Sequence, residues 1–520
     1  MLRVKLGLSI FGSCLLIVVS TAFAALSFIE KNPYRASVGL GRAFERPDMS
    51  YTNCTGILRE IVSALNNLDP AKLRPFLNYA SSDEDRNPRI WVPRASNRLG
   101  LVRVDLRERL RQYSNQGDLD PQDVDLFRAG LRTLRTFDEE ATYFVQVILP
   151  GRTEKKSSPA GKRNEQNAAL ASWPNIFINP KFESEFRYLP NGIDIEGGLK
   201  SGDVLVVRGS SEVSSMIARI PGGHSGESQA SHLLVIYRDE QTGELYALES
   251  LIQDGMKIRK FSFANEARTR CSIYRFRDSQ IAAAGAKALY ERLRQMEAEG
   301  THPDYNFSML SVDPTKPIEH AYCSQSAAFC MWFGSGGKIQ LPSFPTHVEM
   351  KDPWMLKNLT IQNRSEIFAP GDAEIEKHLE FVLEIRDPLM THDALLADAI
   401  ITVLTRSMNA GSRIRSDWKS HLARYVLLPV RKAIDRWPAA MPLVSKLKAG
   451  VPFNIQPIEM EFIVSLRNVF GRAHQELRKR DDAYIQSNGY AMNWIQLLNE
   501  TGKILNEDQS LRYWFYRPPH

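Results

Sequence analysis

Three short segments carry the residue types of a thiol-based acyl transfer. They are Ser231-His232-Leu233-Leu234-Val235-Ile236-Tyr237, then Tyr246-Ala247-Leu248-Glu249-Ser250, then Tyr322-Cys323-Ser324-Gln325. A cysteine attacks a carbonyl as the thiolate, so it needs a base within hydrogen-bond reach, and the base needs a third polar group to fix its ring. Cys323, His232 and Glu249 are chemically sufficient for that task, in the chain order His, Glu, Cys.

These residues need elements that bring them together. Leu233 to Tyr237 and Leu245 to Leu248 read as apolar strands joined by a turn at Asp239 to Gly243. His232 opens the first strand, just after the glycine-rich Pro221 to Ser231 loop, where a side chain projects into a cleft. Glu249 ends the second, and antiparallel pairing brings it to His232 as the acceptor that orients the ring. Tyr322 to Trp332 contains no Gly or Pro and predicts a helix beginning at Cys323. The first turn of a helix favours thiolate through its dipole and free N–H groups, and the same groups can hold an oxyanion. Val204 to Val207 and Cys271 to Phe276 supply further strands, and a helix capped by Ser279 runs to Gly300. The fold class expected is α+β.

At this point the sequence resembles the circularly permuted branch of the NlpC/P60 papain-like superfamily, which contains YiiX/YebB-like cysteine hydrolases and lecithin:retinol acyltransferase-like proteins. The resemblance rests on Gly202-Asp203-Val204-Leu205, Ser231-His232-Leu233, Tyr246-Ala247-Leu248-Glu249, Tyr305-Asn306-Phe307 and Tyr322-Cys323-Ser324-Gln325, all in family order. It covers roughly residues 195 to 340, and its force lies in order and spacing rather than in any one motif. Gln325 stands where such proteins commonly carry Glu, and Asn306 where Asp is common. The resemblance implies a permuted papain-like core in which Cys323 is the nucleophile, His232 the base and Glu249 the third polar residue, acting on amide or ester bonds through an acyl-thioester. No cofactor or metal is expected.

Each residue also has an ordinary structural reading. Cys323 can be a small buried hydrophobe like Cys330, His232 a satisfied structural histidine, and Glu249 a strand-end charge. His224 and Ser225, in Gly222-Gly223-His224-Ser225-Gly226, either line a substrate groove with Tyr322 or belong to a flexible loop. His320 and Cys323 have a spacing that suits a metal, but no second pair supports one. There is no Gly-x-Ser-x-Gly elbow, His-Glu-x-x-His helix, phosphate-binding glycine loop or Cys-x-x-Cys pair.

The chain has 520 residues, 43% of them apolar, enough for two to four domains or one core with large additions. Arg3 and Lys5 precede an uncharged run from Leu6 to Phe28, and Ala22-Phe23-Ala24 fits a signal-peptidase site. Residues 1–24 therefore read as a signal peptide or an uncleaved membrane anchor, which places the bulk of the chain in the periplasm or anchored to the inner membrane and facing it. Without Arg3 and Lys5 the net charge falls from +6 to +4, too modest to suggest a nucleic-acid partner. Cys54, Cys271, Cys323 and Cys330 are too few for a disulfide framework, although a bond from Cys323 to Cys54 or Cys271 stays open.

The expected divisions are a helical subdomain at 25–150, a linker at 151–194, the hydrolase core at 195–345 and a mainly helical region at 346–520. In the last of these, Arg413 to Trp437 mixes Arg413, Arg415, Lys419, Arg424, Arg431 and Lys432 with Trp418, Tyr425 and Trp437. That composition suits either an anionic membrane surface or, more commonly, the solvated face of a packed helix. The function expected is an exported cysteine hydrolase cleaving an amide bond, with peptidoglycan peptides as the leading substrate. The alternatives are a lipid or lipoprotein acyl hydrolase or acyltransferase, and a non-enzymatic envelope scaffold.

Overall fold

The computed structural model describes residues 50–67, 88–117, 119–148, 175–190, 192–219, 230–252, 254–263, 269–306, 315–316, 318–347, 352–358, 367–430 and 457–518. The N-terminal apolar run, the Gly151 to Asn167 stretch, His224 and Ser225 lie outside the described residues.

The chain is α+β, built on one antiparallel sheet of seven strands. These are β1 (Ile176–Ile178), β2 (Val204–Arg208), β3 (His232–Arg238), β4 (Leu245–Leu251), β5 (Gly255–Lys260), β6 (Arg270–Phe276) and β7 (Leu379–Arg386). Their order across the sheet is β1-β7-β6-β2-β3-β4-β5. The sheet passes both expected core limits, because β1 comes from the stretch read as a linker and β7 from the stretch read as mainly helical. Such pairing of distant segments leaves no local trace in a sequence. The middle strands are apolar on both faces because both faces are covered. Leu233, Val235 and Tyr237 join one buried cluster, and Leu234 and Ile236 join another.

Helices α1 (Tyr51–Asn67), α2 (Pro88–Gln116) and α3 (Pro121–Tyr143) form an N-terminal layer around Leu58, Leu106, Phe127 and Leu131. Asp120 caps α3 by accepting from Gln122 N–H, and Pro121 takes the first helical position, where its missing N–H costs nothing. This layer docks on the sheet through buried charge. Arg103 on α2 donates two hydrogen bonds to Glu384 on β7, at 2.9 and 3.2 Å, and Arg270 on β6 reaches Glu139 on α3 at 2.6 Å. Asp138 on α3 also pairs with Arg386 on β7.

Helices α4 (Glu212–Arg219), α5 (Ser279–Ala298) and α6 (Gln325–Gly334) follow, the last two crossing closely on the sheet. At their crossing Gly285 has no substitute, since a Cβ there would lie 1.9 Å from the Cys330 carbonyl oxygen. The cap of α5 is Asp278, which accepts from Gln280 and Ile281 N–H, not Ser279 as expected; its carboxylate reaches two N–H groups at once.

The C-terminal layer consists of α7 (Pro388–Asn409), α8 (Pro457–Asn488) and α9 (Trp494–Glu507), packed around Leu396, Ile400, Leu466, Val469 and Leu497. Among the described residues α7 is the helix long and apolar enough to cross a membrane, and most of it is buried inside the protein. His392 on α7 ties the layers together. Its ring stacks on Tyr143 of α3 at 4.0 Å, with Nδ1 at 3.1 Å from Glu140 and Nε2 at 2.9 Å from Asp481 on α8.

Candidate active site

His232 is the first residue of β3, and Leu234 of β3 stands opposite Glu249 of β4 in the antiparallel register. Alternation puts His232, Leu234 and Glu249 on one face, so the histidine reaches the glutamate diagonally across the ladder. Its Nε2 lies 2.8 Å from Glu249 Oε2. The other Glu249 oxygen accepts from Arg259 Nε on β5 at 2.6 Å. The carboxylate is therefore bonded on both sides, and only the imidazole partner can exchange a proton.

Cys323 comes to His232 from the opposite direction in the chain. The imidazole acts on its thiol through hydrogen bonding and charge, and with Nε2 held by Glu249 it is Nδ1 that remains for the sulfur. The helix expected to begin at Cys323 begins two residues later, at Gln325, with Ser324 as its N-cap residue. The correction has a local cause. Gln325 N–H donates to the Tyr322 carbonyl at 3.0 Å, and Tyr322 N–H donates back to Gln325 Oε1 at 2.9 Å, which closes a turn ahead of the helix. Cys323 sits in that turn with the helix start behind it. Gln325 thus holds the Cys323 turn in shape.

Four contacts hold that turn in place. Ser250, next to Glu249 on β4, donates its hydroxyl hydrogen to the Ala321 carbonyl at 2.5 Å. The same carbonyl accepts Asn306 N–H at 3.1 Å, where Asp304-Tyr305 runs parallel to His320-Ala321. Tyr305, carried by that pairing, hydrogen-bonds the Cys323 sulfur. Tyr322 is buried among C-terminal-layer residues, and its hydroxyl accepts Phe368 N–H at 3.4 Å, so it braces the turn from behind.

The electrostatics separate Cys323 from the other thiols. Burial by itself raises its pKa, but the hydrogen bond and charge of His232, the Leu233 N–H and the Ser324 hydroxyl outweigh that and hold it below the ordinary 9.0. Burial with no such partners pushes Cys330 up to about 12, and burial drives Cys54 up to about 11. None of the four described cysteines is in a disulfide. Burial would lower the His232 pKa, yet its bonds to Cys323 and Glu249 raise it to about 10. Burial would raise Glu249, and His232 with Arg259 instead lowers it to about 2. The combined preference is for a thiolate beside an imidazolium. His232 keeps 20% of its side-chain exposure while Cys323 keeps 3%, so the pair lies just beneath the surface.

Arg259 and Ser250 were not legible as site residues. The first had a signal: Lys257 and Arg259 alternate with Met256 and Ile258, which marks a third strand beside Glu249. Among the described residues no three His, Cys, Asp or Glu side chains gather as metal ligands. No family model and no curated protein matches the chain.

Proposed function

We propose that the protein is a cysteine hydrolase with a permuted papain-like core, in which Cys323 attacks a carbonyl, His232 moves the proton and Glu249 orients His232. The observation that carries this reading is the unbroken chain of contacts Arg259–Glu249–His232–Cys323. A structural cluster has no use for a thiol whose pKa is lowered while its buried neighbours are raised.

The cycle balances as follows. Cys323 gives its proton to His232 Nδ1, and the thiolate forms a bond to the carbonyl carbon. As the tetrahedral intermediate collapses, the leaving amine or alcohol takes the proton from His232, leaving an acyl-thioester on Cys323. Water then gives a proton to His232 and attacks the thioester; the acid departs and the thiol is restored. The backbone N–H groups of Cys323 and Ser324 have no acceptor among the described residues, which leaves them available as donors to an oxyanion.

The resemblance and the apolar N-terminal run favour a peptide amide of peptidoglycan, met in the periplasm, as the bond cleaved. The test is a cysteine-directed acyl probe on the full chain, followed by peptide mapping and by assay on peptidoglycan fragments. Labelling of Cys323 with loss of turnover is expected. An unlabelled Cys323 together with no turnover would overturn the hydrolase reading in favour of an envelope scaffold.

A further inference from the structure

The helical segment that starts at Trp418 is amphipathic the wrong way round for a solvated surface helix. Its buried side carries Ser420, Ala423 and Leu428. Its outer side carries Trp418 at 68% exposure, Leu422, Tyr425 at 61%, Val426 and Val430. A monomer surface tolerates such residues singly, but here they fall on one continuous stripe, and Tyr513 stands exposed near its start. The placement has a fixed frame: residues Arg413-Ile414 pair with Phe515-Tyr516, and Asp417 caps the helix through Ser420 N–H.

Each exposed ring is matched with a cation. Lys419 Nζ lies 5.9 Å from the Trp418 ring, Arg424 lies 4.8 Å from Tyr425, and Arg415 lies 4.6 Å from Tyr513. Glu461 neutralises Arg424 at 2.5 Å and lies 3.4 Å from His421. Among the described residues Arg415 and Lys419 have no carboxylate partner, and the sequence continues with Arg431 and Lys432. The core of a protein–protein interface is also rich in Trp, Tyr and Arg, but it is depleted of Lys, and here Lys419 and the following Lys432 flank the rings. Aromatic rings at the level of lipid headgroups, with cations beside them and aliphatic side chains between, are the arrangement of a helix lying in a bilayer surface.

We propose that this stripe docks on a bilayer carrying anionic headgroups, with Trp418, Leu422, Tyr425, Val426 and Val430 entering the interface and Arg415 and Lys419 at the phosphates. The uncharged run from Leu6 to Phe28 would keep the chain near such a surface. The docking is independent of whether Cys323 reacts.

The test uses the full chain with Leu422→Cys labelled by an environment-sensitive fluorophore, in a Cys14→Ser, Cys323→Ala background so that the remaining native thiols are the buried Cys54, Cys271 and Cys330. The control carries the label at Arg294→Cys, on α5. Vesicles of phosphatidylcholine alone are compared with vesicles that also contain phosphatidylglycerol. The expected result is a blue shift and protection from iodide at position 422 in the anionic vesicles, with position 294 unchanged. Arg415→Glu with Lys419→Glu should weaken this binding by roughly tenfold or more, since each basic residue contributes about fivefold near an anionic surface. Equal iodide access at 422 and 294 in both lipids would overturn the proposal. Protection at 422 before any vesicle is added would also overturn it, because a second copy or another segment of the chain would then cover the stripe. Equal protection in neutral and anionic vesicles would overturn the assignment to an anionic surface.

Discussion

His232 and His392 are both bonded to buried carboxylates, and both have pKa values raised above the ordinary imidazole value, but only one of them has a nitrogen to spare. His392 spends Nδ1 on Glu140 and Nε2 on Asp481, beneath the ring of Tyr143. His232 spends Nε2 on Glu249 and offers Nδ1 to Cys323. For His392 burial opposes the charge and two carboxylates overcome it; for His232 one carboxylate and one thiol do so. A raised pKa therefore does not mark a catalytic base. What marks it is a second ring nitrogen aimed at a group that can give up a proton, close enough to the surface for a substrate to arrive.

The comparison breaks most sharply in turnover. Cys323→Ala should abolish it, and His232→Ala should lower it by about 10²- to 10⁴-fold, the usual range for a positioned general base. Cys323→Ala should keep the wild-type melting temperature within a few degrees, whereas His232→Ala should lower it, because buried Glu249 is then left with Arg259 as its cation. Undiminished turnover in Cys323→Ala would end the mechanism.

Thiol reactivity comes next. Cys323 should react with iodoacetamide at neutral pH at least about 100-fold faster than Cys54 or Cys330, because their thiols are held high and buried while its own is held low. Rates within a factor of two of one another would erase the difference between the site and the core.

His392→Leu should do the reverse of Cys323→Ala. It leaves Glu140 and Asp481 buried without their cation, a change that costs about 3 to 5 kcal/mol, and urea unfolding should show it while the Cys323 reaction per folded molecule persists. The pH dependence sharpens the same point. A histidine whose folded pKa is raised contributes stability in full below its ordinary 6.5 and loses it as pH rises through the folded value. The wild type should thus lose stability on the alkaline side, and His392→Leu should lose less of it.

The smallest effect is expected from Glu249→Gln. An amide oxygen still accepts the His232 N–H, so part of the activity should remain, but the anion that holds the imidazolium is gone. The alkaline limb of the pH–rate profile, near 10 in the wild type, should move down. An unmoved limb would mean that Glu249 only supports the strand.

The sequence made the pieces of the site legible where local pattern sets them. His232 does open its strand and Glu249 does lie on the next one, while the helix expected to begin at Cys323 forms two residues later, because alternation, turn residues and an unbroken apolar run are short-range signals that set an element more firmly than its first residue. Charge buried by distant partners was not legible. Arg103 and Glu384 each look like solvated surface in sequence, so the docking of α2 on β7 left no apolar periodicity to read. The contribution of β7 to the sheet, and of the C-terminal layer to the wall behind Tyr305 and Tyr322, is invisible for the same reason.

Ser250 and Glu249 are consecutive residues, and alternation turns them to opposite faces of β4, one toward the Ala321 turn and the other toward His232. The Cys323 turn and the His232 ring are thus both gauged from a single peptide unit. A shift of that unit would carry the Ala321 carbonyl and the imidazole together, so the spacing of sulfur and ring rests on a short path of contacts. A machinist would say that both parts are dimensioned from one datum, and the tolerance that matters for proton transfer is the short one.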